Sequence, residues 1–569
     1  MRQKKLIRKI PSFFLVITIL VIVTVFLSNK TIAASLKNII NASSSTIYKI
    51  TYNENGGQVG AIGSNGMTQS FSLGKKVTLS PPSFYKTGYI LLGFSKNKNS
   101  TTAEFSAGKS YSFTSNVTLY AIWKPTVSYA LGGGKLYSGS QTQSFTAGVS
   151  FTLNPPILSK DGYYVDGYST SYGSSTVVYT AGQRVTLKGS ITLYPVWKKK
   201  YKAIVIFPGI LGSNLYDKNK KPIYNSDVIN NILSSVEKGN AGDVIFAALN
   251  LQSLVSTEAK YTGQTKGSGV NEYGIFFDGE YPYKMIIKSL RDKYINSPYE
   301  VIFYEYDWRK SCSSNAYYFN RDVASKYSKM VLIGHSMGGL VITSYLWDYG
   351  TSDTVGQSKI EKCIFVGTPF AGAPLAAYLS DGGDFAKDFL SSFDEIKKLN
   401  AVEKSALNYV MKRVFNSIDS RIDLYPCYTM INNIDSQKAN LVKKYKSSYS
   451  NSNTNSWYKN SSGVWHHITN KVDSYYVVGK NLETVMGYNS SSLVKQNSGD
   501  GIVPEYSAGL FGKYSSRTYK IDCQHMDLIS NSSVINYIIA RINEGPKPAN
   551  DTSNPIIRPI DAPHPTPKP

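Results

Sequence analysis

A chain of 569 residues is long enough for several domains, and its 42% hydrophobic and 18% charged content excludes a disordered or collagen-like polymer. The formal charge of +24 favours anionic partners; with no nucleic-acid motif present, these are lipid head groups or wall polymers and not nucleic acid. Cys312, Cys363, Cys427 and Cys523 lie far apart with no Cys-x-x-Cys pair, which excludes a zinc or disulfide-framework signature while allowing up to two bridges.

The chain opens with "MRQKKLIRKIPS", five basic residues and no acid, followed by the apolar run "FFLVITILVIVTVFL" and the small residues "TIAAS". That run is shorter than the roughly 20 residues that span a bilayer. The layout is that of a secretory signal over 1–34, with cleavage near Ala33 or Ala34, so the mature protein is expected to be secreted or bound at the cell surface.

The next segment repeats itself. "VTLSPPSFYKTGYILLGF" at 77–94 aligns with "FTLNPPILSKDGYYVDGY" at 151–168, and Pro81/Pro155, Gly88/Gly162, Ala107/Ala181 and Trp123/Trp197 all differ by 74 positions. Short alternating stretches rich in Thr, Tyr, Val and Phe, punctuated by Gly and Pro-Pro, predict two small β modules over 46–124 and 125–198. Neither copy contains a histidine or a cysteine, so chemistry is not expected there. The motifs "TYNENGG", "GYILLGF" and "TLYAIW" resemble the internalin-type B repeats of bacterial surface proteins, which implies β-grasp-like modules serving as spacers or attachment units.

From about residue 199 strands alternate with helical patterns, which predicts an α/β domain with a mostly parallel sheet over 199–544. "KAIVIF" (202–207), "YEVIFYEY" (299–306), "MVLIG" (330–334), "KCIFVG" (362–367), "SYYVVG" (474–479) and "RTYKID" (517–522) are the expected strands. A Pro-rich tail follows over 545–569. Within 375–470, Phe385, Phe389, Phe393 and Ile396, then Leu407, Val410, Met411, Val414 and Phe415, recur at helical spacing. Such faces suit either core packing or a lid over an acyl pocket.

"VLIGHSMGGL" at 331–340 is a buried-strand pattern ending in Gly334-x-Ser336-x-Gly338, the arrangement of a nucleophile at a sharp strand-to-helix turn. A Gly-rich turn in a Gly-rich chain reads the same way, so context must decide. A serine hydroxyl needs a base and an orienting acid. Of five histidines, His335 lies in the turn, His564 in the tail and His466 and His467 in a polar segment; only His525 follows a strand. The order Ser, acid, His then makes Asp500 the best placed acid, with Asp473 as the alternative; Asp522 and Asp527 are too near His525 in sequence. Developing negative charge needs backbone donors. The amide of Met337, after the nucleophile, and that of Ile210, in the turn "FPGILG" after the first strand, suit that role.

"FPGILGSNL", "YDWRKS", "GHSMGG", "VGTPFAGAP", "GDGIVP" and "HMDLIS" follow, in order, the motif series that the lecithin:cholesterol acyltransferase-like lipases carry, and the resemblance spans roughly 201–543. It implies an α/β-hydrolase fold with an inserted helical cap. It also implies Ser336 as nucleophile, Asp500 and His525 as its partners, the amides of Ile210 and Met337 as the oxyanion hole, and a structural role for Asp307, Trp308 and Arg309. The expected activity is serine hydrolysis or acyl transfer on lipid or phospholipid esters, with no cofactor and no metal. A small-ester or wall-polymer deacylating esterase is the first alternative, and a non-catalytic surface adhesin the second.

Overall fold

The computed structural model describes residues 34–35, 47–60, 66–217, 219, 222–224, 264–265, 282–350, 359–380, 382–389, 400–425, 472–488, 493–509 and 517–545. The predicted signal run, the Pro-rich tail, most of 375–470, and His466, His467, His564, Cys427, Phe393 and Ile396 lie outside the described residues. Among the described residues no helix is long and apolar enough to cross a membrane. The chain forms two compact units, Met1–Leu158 with Asp166–Trp197, and Ser159–Val165 with Lys198–Pro569.

In the first unit, strand β1 (Ile47–Asn53) alternates so that Ile50 and Tyr52 point inward, and they pack with Phe71, Phe94 and Leu119. Strand β2 (Thr68–Ser72) pairs antiparallel with β1. The organising element is β4 (Val117–Tyr129), 13 residues long. Its first half lies parallel to β1 and antiparallel to β3 (Tyr89–Ser95). Its second half lies antiparallel to β5 (Thr142–Ser144) and parallel to β6 (Ile191–Lys199). The strand that closes the first copy therefore opens the second, and the expected boundary at 124/125 falls inside it. The duplication extends to polar contacts. The Tyr52 hydroxyl meets Gln69 Oε1 at 2.6 Å and Tyr129 meets Gln143 at 2.7 Å, while each glutamine donates at 2.6 Å to the carbonyl of Thr78 or Thr152.

In the second unit six strands run parallel: β7 (Lys202–Phe207), β8 (Tyr299–Tyr304), β9 (Lys329–His335), β10 (Ile360–Val366), β11 (Ser474–Gly479) and β12 (Thr518–Ile521). They lie in the order β8-β7-β9-β10-β11-β12. All six coincide with the expected strands, and the architecture is that of an α/β hydrolase. Continuous apolar runs suit a sheet covered on both faces, and alternate residues divide between two cores. Val205, Leu332, Phe365 and Tyr476 pack with helices α2 (Cys312–Asp322) and α3 (Met337–Gly350). Ile206, Ile333, Ile364 and Val477 pack on the other side with α1 (Pro282–Tyr294) and α8 (Ser532–Asn543).

Four helices, α4 (Pro374–Ser380), α5 (Phe385–Asp388), α6 (Ala401–Ser417) and α7 (Ser420–Asp423), belong to the segment between β10 and β11. Leu407, Met411, Val414 and Phe415 of α6 join the core that holds α2 and α3. The side chain of Val410 lies outside the described residues.

Candidate active site

The strand ends decide where the candidate residues meet. In a parallel sheet every strand delivers its following loop to the same edge, so β7, β9 and β11 and β12 bring 208–211, Ser336, Asp500 and His525 to one rim. Ser336 has φ of +53°, a left-handed backbone uncommon for a residue with a side chain. Its N–H donates to the Val366 carbonyl at 2.9 Å, which fixes the turn against β10. The surrounding glycines are sterically required. A Cβ on Gly334 would lie 2.5 Å from Gly339 Cα, and one on Gly339 would collide with the Thr368 side chain. The pattern is therefore a tight strand-to-helix elbow and not an arbitrary Gly-rich turn.

Ser336 Oγ lies 2.9 Å from His525 Nε2, and His525 Nδ1 lies 2.7 Å from Asp500 Oδ2. Asp500 is fully buried, and its other oxygen accepts from the N–H groups of Val503 at 2.7 Å and Ile502 at 3.0 Å. His525 is also held through its backbone, whose N–H donates to the Asp500 carbonyl at 2.9 Å. The acid is thus satisfied on one side by amides and directed on the other at the imidazole.

Asp473, the alternative acid, belongs elsewhere. It precedes β11, at the opposite end of that strand from Asp500, and is buried between Lys362 Nζ at 2.8 Å and Arg517 Nη1 at 2.9 Å. Asp522 pairs instead with Asn481 and Lys480.

Met337 is the first residue of α3, so its N–H is one of those that a helix leaves without an intrahelical partner. Ile210 lies in the turn after β7, where Gly212 N–H donates to the Gly209 carbonyl at 3.1 Å and Leu211 has φ of +63°. Asp307 and Arg309 form a bidentate pair at 2.9 Å on each arm. The carbonyl of Arg309 accepts from Asp419 N–H at 2.8 Å, joining this motif to the start of α7. Trp308 Nε1 donates to the Ser213 carbonyl at 3.2 Å.

Beside Ser336 opens an apolar cavity of about 650 Å³ including its mouth. Trp308, Leu379, Phe385, Phe389, Met411 and Phe415 are among its walls. Of the residues on those apolar faces, Phe385, Met411, Val414 and Phe415 belong to one core and also line the cavity.

Two residues near Ser336 and His525 carry no role from the sequence. His335, inside the elbow, is buried, and its pKa is pushed down to about 3, first by burial and then by the neighbouring His525. Tyr283 of α1 meets it at 2.7 Å. Nothing local marks Tyr283, which lies 52 positions away; a histidine beside Ser336 was the only available signal.

The lecithin:cholesterol acyltransferase family profile matches residues 268–501, a span that contains Ser336 and Asp500 and ends before His525. The Listeria-Bacteroides repeat domain profile, a repeat typical of surface proteins, matches 48–122 and 126–196. Similar solved structures include the mature lipase BlEst2 of Bacillus licheniformis (12% identity, 61% of this chain and 93% of that one, TM-score 0.26). Lipase 1 from Pelosinus fermentans (14% identity, 61% and 99%, TM-score 0.25) and the lin2722 product of Listeria innocua (13% identity, 60% and 94%, TM-score 0.24) are others. No curated protein matches the chain. Residues 268–501 therefore match the lecithin:cholesterol acyltransferase family, a likeness that supports acyl-ester hydrolysis or transfer in general, and residues 48–122 and 126–196 match the Listeria-Bacteroides repeat.

Proposed function

We propose that this protein is an exported, surface-associated serine hydrolase that removes acyl groups from lipid esters through an acyl-Ser336 intermediate. The observation that carries the reading is the 2.9 Å approach of Ser336 Oγ to His525 Nε2 at the wall of an apolar cavity. Ser336 Oγ attacks the ester carbonyl carbon as its proton passes to His525 Nε2, and Asp500 holds the imidazole with Nδ1–H toward itself. The carbonyl oxygen gains negative charge and is met by the N–H groups of Met337 and Ile210. Collapse breaks the ester C–O bond, and His525 returns the proton to the leaving alcohol. Water or a second alcohol then attacks acyl-Ser336, losing its proton to His525, and collapse breaks the bond from the acyl carbon to Ser336 Oγ as His525 returns that proton to the serine.

A lipid acyl chain suits the cavity because its walls are aromatic and aliphatic, and burying each methylene contributes about 0.8 kcal/mol. The basic excess of the chain favours an anionic lipid surface or wall polymer. A fluorophosphonate probe should label Ser336, and Ser336→Ala should fold yet lose at least about a thousandfold in kcat. Asp500→Asn should be the damaging acid substitution, with Asp473→Asn acting on stability alone. On a graded ester series kcat/KM should climb from two-carbon to eight-carbon acyl groups, and anionic vesicles should raise it further. A two-carbon optimum without vesicle response would favour the small-ester esterase, and absence of both labelling and hydrolysis would favour the adhesin.

A further inference from the structure

His335 takes no part in the reaction just described, yet its ring centre lies 5.0 Å from that of His525. It lies in a chain of three hydrogen bonds, two of them its own. Gly209 N–H donates to the Tyr283 hydroxyl oxygen at 2.7 Å, that hydroxyl lies 2.7 Å from His335 Nδ1, and His335 Nε2 lies 3.0 Å from the His525 carbonyl oxygen. The His525 carbonyl can only accept, so His335 Nε2 donates to it, and in a neutral imidazole the other ring nitrogen is then an acceptor. His335 Nε2 therefore carries the hydrogen, Nδ1 is bare, and Tyr283 donates to it. This requires a neutral ring, and burial keeps His335 neutral across the working range.

We propose that His335 and Tyr283 are positioning residues for acyl transfer, forming one directed hydrogen-bond relay that holds the oxyanion turn and the catalytic histidine loop in a common register. The proposal rests on the serine-hydrolase reading above. At one end the relay fixes the Gly209 peptide, next to the Ile210 N–H. That turn lies hard against the nucleophile, since a Cβ on Gly209 would fall 2.9 Å from Ser336 Cβ. At the other end it holds the carbonyl of His525, whose N–H and Nδ1 are both taken by Asp500. A donor aimed at a transition-state charge works only when it is placed beforehand, so the relay acts on kcat. Neither His335 nor Tyr283 is among the residues that wall the acyl cavity, so KM should be spared.

The test uses the full-length protein, with competent sites counted by fluorophosphonate titration and kcat on a soluble ester expressed per titrated site. If the wild-type protein is not labelled at Ser336, the underlying reading fails and the relay with it. Given labelling, Tyr283→Phe should lower kcat per site about ten- to a hundredfold at unchanged KM, below the loss from deleting an oxyanion donor outright. His335→Phe should do the same, and the double variant should fall no further than the worse single, because a broken chain cannot be broken twice. His335→Gln, with a donor for His525 and an acceptor for Tyr283, should recover part of the loss. A folded Tyr283→Phe with kcat per site within about twofold of wild type, or losses that multiply in the double variant, would overturn the relay. Tyr283→Phe removes a single oxygen from a ring packed against Phe303, so it decides the question even where a His335 variant fails to fold.

Discussion

Enclosed between Tyr283 and the His525 carbonyl, the His335 ring stays neutral at pH values where a free histidine is charged, its pKa lowered to about 3 from 6.5. The sign of the consequence follows from proton counting. Between those two values the unfolded chain binds a proton that the folded chain refuses, so the stabilisation is complete above about pH 6.5 and is lost as pH falls toward 3. The slope is about 1.4 kcal/mol per pH unit. His335→Gln lacks this titration. Its stability deficit relative to wild type, measured by urea unfolding, should therefore shrink by about 2 kcal/mol between pH 6.5 and pH 5. Parallel stability profiles for the two proteins would remove His335 as a source of acid sensitivity. The same residue shows the limit of local reading: its position in the elbow was visible in "GHSMGG", while its partners were not, because Tyr283 arrives on a different helix.

At the scale of elements, the elbow was legible because its constraints are local. Gly334, Ser336 and Gly338 sit within one strand-to-helix turn, and each glycine removes a collision. A Cβ on Gly338 would meet the Phe207 carbonyl, and would lie 2.5 Å from that of Pro208. Gly338→Ala should therefore push α3 away from β7, costing about 1–3 kcal/mol of stability. Because Met337 moves with α3, kcat should also fall by about tenfold or more, in the manner of a displaced oxyanion donor. Thermal melts and ester hydrolysis check both; an unchanged Tm with unchanged kcat would mean that the helix gives way freely. The helices α4 to α6 were less legible. Their apolar periodicity marks one face as buried, but periodicity is identical for a helix packed in a core and a helix roofing a cavity. Phe385, Met411 and Phe415 do both.

For the whole molecule, the division at Trp197 and Lys198 separates a β unit lacking any histidine from the unit that carries Ser336, Asp500 and His525. A protein beginning near Lys199 should fold and hydrolyse a soluble ester with the kcat of the full chain, while losing retention on cells or isolated walls. It also loses Ser159–Val165, which group with the hydrolase unit. A folded but inactive truncation would show that the repeats or this short segment contribute to catalysis. Equal retention on walls would remove the repeats as attachment units.

Sequence by itself determined the parts whose physics is short-ranged. Six short stretches, most of them apolar, announced the parallel strands, a 74-residue offset announced the duplication, and the chain order of Ser336, Asp500 and His525 matched the ends of β9, β11 and β12. It also favoured Asp500 over Asp473 as the acid by chain order. Tertiary structure supplied the contacts, with Asp473 between Lys362 and Arg517 and Asp500 against His525, at opposite ends of the strand. Only the tertiary structure decided the cavity beside Ser336 and the link from Gly209 through Tyr283 and His335 to His525. These depend on strand order and on which helix covers which face of the sheet. Contacts across 52 to 190 positions leave no periodic trace in the chain, because they are set by how whole elements pack and not by any residue's neighbours in sequence.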